Sequence, residues 1–168
     1  KDAKSDDAQS VLPYIKEIFK AKNDPQALEE YFAAIGSSVS ANELDVQYFE
    51  KARKYYYDDK NCDAAFPEMQ KYISKFPTGK YILEANFCMA ECAYSKENYT
   101  EAVKGYEFVI SKPRSLFSEI SLQKASFIYY RDKKYEQALP LYLKLQEFAE
   151  SGQNKLAGRL GAMRSAFY

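Results

Sequence analysis

The chain has 168 residues, with 24 Lys and Arg against 24 Asp and Glu, no net charge, a pI near 6.6, 46% apolar and 29% charged residues. That composition, with only 6 Gly and 6 Pro, excludes a disordered segment, and the absence of net charge excludes the basic field on which nucleic-acid and anionic-membrane binders rely. The chain contains no His, which removes Ser-His-Asp and Cys-His nucleophile systems and the commonest metal ligand, so a non-enzyme without cofactor or metal is expected.

The first residues, KDAKSDDAQS, are polar and read as a lead-in over 1–9; they lack the apolar stretch of a signal peptide. The chain begins without Met and stops at Phe167-Tyr168 inside a helical pattern, so it reads as a piece of a longer protein. No apolar run approaches the ~20 residues that span a bilayer. A helix is expected from Ser10, with Ser10 as its cap, Pro13 in its first turn and an apolar stripe of Val11, Leu12, Ile15, Ile18 and Phe19. Asn23-Asp24-Pro25 ends it and opens a second helix, Asp24 capping and Pro25 at the first helical position. This helix presents Ala27, Leu28, Tyr31, Phe32 and Ile35 and stops at Gly36, giving a pair over 10–36. Acidic side chains exceed basic ones over residues 1–50 and the balance reverses beyond, so an acidic entry could lie against a basic body; two solvated faces are the simpler reading.

Ser40-Ala41-Asn42-Glu43 has the capping-box pattern and starts a helix to about Tyr57 that uses Leu44, Tyr48, Phe49, Ala52 and Tyr56. Its partner runs from about Asp63 to Lys75, with Ala65, Met69, Tyr72 and Ile73 inward and Pro67 required to lie in the first turn. After the turn Phe76-Pro77-Thr78-Gly79, helices are expected over 80–95 and 99–111, then over 118–131 and 135–150, with Ser151 to Asn154 as exit and a further helix from Lys155. In the third pair Leu122, Ala125, Ile128 and Tyr129 should pack on Ala138, Leu141, Tyr142, Leu145 and Phe148. Cys62, Cys88 and Cys92 are odd in number and read as buried thiols, and a bridge between Cys88 and Cys92 within one helix would be strained.

Punctuation repeats along the chain. Ala90, Ser126 and Ala162 fall 36 residues apart, as do Ala102 and Ala138, each followed four residues on by Tyr106 or Tyr142. A period of this length means stacked helical pairs, and one elongated domain follows. The residues resemble the tetratricopeptide repeat: a small residue at the helix crossing, Ala opening the second helix, an aromatic four residues later and Pro near the end. Ala65, Met69 and Pro77 carry the first unit, Ala90, Ala102, Tyr106 and Pro113 the second, and Ser126, Ala138 and Tyr142 the third. The resemblance implies an all-α superhelical solenoid of antiparallel helix pairs, with units at 41–79, 80–114 and 118–152, a degenerate pair at 10–36 and a truncated fourth unit at 155–168. The form FPTGKY followed by an Ala-containing helix is similar to repeats of bacterial envelope proteins, the outer-membrane assembly lipoproteins and the Tol-Pal-associated periplasmic factor. The entry segment also resembles the C-terminal part of large bacterial multi-repeat proteins. A periplasmic or outer-membrane-associated location is implied by that likeness alone.

In this family the first helices line a concave groove that binds a peptide or a helix. Carried onto this chain, the groove comprises Lys54 and Tyr57 in the first unit, Phe87, Glu91 and Tyr94 in the second, Lys124, Phe127, Tyr130 and Arg131 in the third, and Arg159 in the last helix. Aromatic side chains there would supply rigid contact area, while Lys124, Arg131 and Arg159 would orient carboxylates. Glu50, Lys54 and Cys88 stand where the chaperone-binding subtype has Lys, Asn and Asn, so that subtype's carboxylate clamp is not expected. The expected partner is a protein or peptide and not nucleic acid. The competing reading is a structural spacer, whose last helix, with Leu156, Leu160 and Met163 uncovered, could associate end to end.

Overall fold

The computed structural model describes residues 6–168, with side chains from residue 10 onward. The expected lead-in lies outside the described residues over positions 1–5. From Asp6 the chain is already helical. Among the described residues all regular structure is α-helical: α1 (Asp6–Ala21), α2 (Pro25–Ala34), α3 (Ala41–Tyr57), α4 (Cys62–Lys75), α5 (Ile82–Ser95), α6 (Tyr99–Ile110), α7 (Ser118–Arg131), α8 (Tyr135–Phe148) and α9 (Gly152–Phe167). No helix among them is long and apolar enough to cross a membrane.

Local chemistry accounts for most of these boundaries. Side-chain oxygens accept from backbone N–H groups at five helix starts: Asp24 from Ala27 at 3.2 Å, Ser40 from Glu43 at 3.2 Å, Asn61 from Ala64 at 3.1 Å, Asn98 from Glu101 at 3.3 Å and Ser151 from Asn154 at 3.5 Å. The Glu43 side chain does not complete a capping box; it takes Lys16 Nζ at 2.8 Å and so ties α3 to α1. Asn23, Lys60, Glu97 and Lys133 adopt positive φ, between 51° and 58°, each in the short link that follows α1, α3, α5 or α7. These positions recur every 36 or 37 residues, so one left-handed residue turns the chain at each such link.

Several boundaries differ from the reading of the sequence. Pro13 and Pro67 lie inside α1 and α4 and not in their first turns: α1 already begins at Asp6, and Pro67 is the sixth residue of a helix that begins at Cys62. The exit after α8 is also shorter, since Ser151 caps a helix that starts at Gly152. Cys62 and Cys92 are disulfide-bonded and only Cys88 is a free, buried thiol. That corrects the expectation of three thiols: sequence spacing judges local bridges only, whereas a disulfide depends on which Cα atoms tertiary folding brings close.

The expected single domain is divided into two compact units, one ending at Ala85 and one beginning at Asn86. In the first, α1 packs on α2, α2 on α3 and α3 on α4. Its core holds Leu28, Phe32, Leu44, Phe49, Ala52, Met69 and Tyr72. The buried pair on α2 is Leu28 and Phe32, one residue beyond Ala27 and Tyr31, and Tyr31 is 37% exposed. Glu29 on α2 takes Lys75 Nζ at 2.8 Å and the Tyr48 hydroxyl at 2.9 Å. The Phe76 to Tyr81 turn is held by Asp45, which accepts from the Tyr72 hydroxyl and from Lys80 N at 2.8 Å, while Tyr81 N donates to the Tyr72 oxygen at 3.0 Å. Burial and the Asp45 contact push the Tyr72 hydroxyl well above its usual pKa. Tyr81 then stacks on Phe49 at 4.4 Å between ring centroids.

In the second unit α7 packs on α6, α8 and α9, and α9 packs on α8. Small residues occupy the helix crossings: Ala90, Ala102, Ser126 and Ala138 are fully buried. A Cβ on Gly105 would meet Asn86 O at 2.7 Å and Ala90 Cβ at 2.8 Å. On α9 a Cβ at Gly158 would strike the backbone of Gln146 at 2.5 Å. The start of α9 is secured by Glu119, whose carboxylate accepts from Glu150 N at 2.7 Å, Ser151 N at 3.3 Å and Asn154 Nδ2 at 2.7 Å.

Two stability outcomes follow. Gly158→Ala should lower the unfolding free energy by about 1–3 kcal/mol, since the α8 backbone cannot move aside. Gly152→Ala, with nothing within 4 Å, should be neutral; equal urea midpoints for the two variants would refute this account of the α8–α9 contact. The N–H donors around Glu119 hold its pKa below the ordinary 4.5. A depressed carboxylate contributes stability that is present above its unfolded pKa and lost as pH falls through the folded value. The urea midpoint should therefore decline below about pH 4.5, and Glu119→Gln should flatten part of that decline.

Candidate functional site

The largest concavity that gathers residues expected in the groove lies in the second unit, between α7 and α9. Gln123, Lys124 and Phe127 come from α7, Ala157, Leu160, Gly161 and Arg164 from α9, Tyr142 from α8 and Tyr94 from α5, around about 550 Å³. On α7 these residues share one stripe because 123, 124 and 127 follow helical spacing, and 157, 160, 161 and 164 do the same on α9. Tyr142 forms the floor. A Cβ at Gly161 would lie 2.4 Å from its ring, so only glycine lets α9 rest on that tyrosine. Burial raises the hydroxyl pKa of both Tyr142 and Tyr94, which keeps them neutral hydrogen-bonding groups.

Charge in the cavity is unevenly committed. Lys124 Nζ donates to both Glu91 oxygens at 2.6 and 2.7 Å and lies 4.5 Å from the centroid of the Tyr94 ring. Glu91 also accepts from the Tyr106 hydroxyl at 2.6 Å, so one carboxylate joins α5, α6 and α7. Arg164 forms no ion pair with a carboxylate among the described residues. It leaves a guanidinium beside Phe127, which is 45% exposed, and beside Leu160, 42% exposed.

The structure distributes the residues expected in the groove among several roles. Tyr94, Lys124 and Phe127 line the cavity. Tyr130 borders an adjoining hollow with Met163, Arg164, Phe167 and Tyr168. Phe87 is buried against Phe117, with centroids 4.7 Å apart, and serves the core. Glu91 acts through Lys124. Arg131 is bound to Asp132 at 2.6 Å and stacks over Tyr99 at 3.7 Å. In the first unit, Lys54 pairs with Asp59 at 2.8 Å and Tyr57 carries Arg53 over its ring at 5.2 Å. Arg159 is exposed and absent from the cavity; at 100° per residue it sits roughly 160° around α9 from Ala157. Arg164 takes the expected cationic position, and the 157, 160, 161, 164 stripe was the signal for it.

This arrangement can hold an apolar or aromatic side chain between Phe127 and Leu160 and a carboxylate on Arg164. Among the described residues no cluster of three or more His, Cys, Asp or Glu could hold a metal. No protein-family model matches the chain, and neither a curated protein nor a solved structure matches it.

Glu91→Gln should cost about 1–3 kcal/mol in urea unfolding, because it leaves the largely buried Lys124 ammonium without its counter-charge. A variant as stable as the parent would show that the Glu91–Lys124 pair does not hold α5 to α7.

Proposed function

We propose that this chain is a non-catalytic scaffold of tetratricopeptide type, its helices stacked as antiparallel pairs in a solenoid, that binds a segment of another protein in the α7–α9 cavity. The observation that carries the reading is the pairing of open aromatic and aliphatic surface with a guanidinium that has no carboxylate partner among the described residues. Rigid aromatic area and Arg are the residue types that dominate binding energy at protein interfaces. The preferred segment carries a large apolar residue near an Asp or Glu. The recurrence of left-handed link residues at 23, 60, 97 and 133 supports the repeat assignment and extends it to the α1–α2 pair. Disulfide-bonded Cys62 and Cys92 support an oxidising compartment such as the periplasm or envelope, since such bonds persist outside reducing cytosol.

The test is fluorescence anisotropy against a panel of labelled 12-residue peptides that differ in acidic and aromatic content. Phe127→Ala with Arg164→Gln should weaken binding of an acidic-aromatic peptide at least about tenfold, or ~1.4 kcal/mol. A peptide held as tightly by the double variant would remove the cavity from the reading.

A second reading has its own observation. On α9, Leu156 is 55% exposed, Met163 66% and Phe167 84%, an apolar face suited to self-association in a spacer. Sedimentation should then give a concentration-dependent oligomer that Met163→Glu with Phe167→Glu dissolves; a monomer at every concentration would reject it.

A further inference from the structure

The other face of α7 borders a second cavity, of about 240 Å³, between the end of α6, the α6–α7 link and α8. Ser118, Glu119 and Leu122 face it, roughly 140° around the helix from Gln123, Lys124 and Phe127. A segment lying in the α7–α9 cavity therefore does not reach it. Its apolar wall is Ile110, Leu122 and Phe148, and Lys112, Arg114 and Lys144 supply cations.

Two of these cations have no carboxylate partner among the described residues. Arg114 is bound to Glu150 at 2.8 Å. Lys144 Nζ donates only to the Ile110 carbonyl at 3.3 Å, and Lys112 lies over the Phe108 ring at 4.7 Å. The carboxylate in the wall, Glu119, already accepts three N–H groups at the start of α9. It is spent on the fold and stays ionised, as its lowered pKa requires. A wall of this kind attracts one negative charge through the lysines and opposes a dianion through Glu119. The cavity is smaller than the ~300–1,000 Å³ of sites for drug-sized ligands, so the apolar part of the ligand must be slender.

We propose that this cavity binds a small apolar monocarboxylate, of the class of medium-chain alkanoates. The tail lies against Ile110, Leu122 and Phe148, and the carboxylate is held by Lys112 and Lys144. Neither lysine supports the core, since both side chains are exposed.

The probe is octanoate, titrated calorimetrically into the full chain below its micellar concentration, with octanol as the uncharged counterpart. One saturable site is expected for octanoate and none for octanol. Lys112→Met with Lys144→Met should weaken octanoate at least about tenfold, the loss of charge-assisted contacts, while the circular dichroism spectrum stays that of the parent. If the double variant does not fold, Lys144→Gln alone carries the test and should weaken binding severalfold. The proposal is overturned if octanoate does not saturate, if octanol binds as tightly, or if a folded lysine variant binds octanoate unchanged.

Discussion

The constraint on which the rest of the second unit depends is how closely its helices approach. Two helices pack at 8–10 Å, and the lower end is open only where one presents Gly, Ala or Ser. Gly105 lies over Ala90, and Gly158 and Gly161 lie over the α8 backbone and the Tyr142 ring, with no room for a Cβ at any of the three. The Tyr142 floor, the tilt of α9 and the placement of Arg164 follow from those contacts. Close packing gives such a crossing few alternatives, so the volume between α7 and α9 is a consequence of glycine placement.

A second theme is that carboxylates act as fasteners between helices. Asp45 gathers the Tyr72 hydroxyl and the Lys80 amide, Glu91 gathers Tyr106 and Lys124, and Glu119 gathers the start of α9. Each accepts from at least two donors, which is how a partly buried charge is made tolerable. This commitment also decides which cations remain available. Among the described residues, Arg164, Lys112 and Lys144 are cations without a carboxylate partner that line cavities with apolar walls.

Helix locations were legible because local chemistry sets them. Asp24-Pro25 and Ser40 to Glu43 announce helix starts through backbone donors within three residues. Ala102 with Tyr106 and Ala138 with Tyr142 announce buried stripes through spacing alone. The candidate site was legible only in part. Tyr94, Lys124 and Phe127 were readable because they share a helical face, yet Phe87, on the same expected face, is drawn into the core by Phe117 from a neighbouring link. Arg159 was the cation expected from the last helix; Arg164 stands in its place because Gly158 and Gly161 turn one side of α9 towards α8.

The amino-acid sequence by itself determined the all-helical class, nearly every helix and the small residues where helices cross, since these depend on backbone hydrogen bonds and periodicity over a few turns. Tertiary structure alone decided the division at Ala85 and Asn86, the disulfide bonding of Cys62 and Cys92, and which charges are consumed internally. Those outcomes depend on distances between residues remote in the chain. Lys124 and Glu91, 33 positions apart, become one ion pair only when α5 and α7 are brought together, and Arg164 is left open to an anion because no carboxylate among the described residues is carried to it.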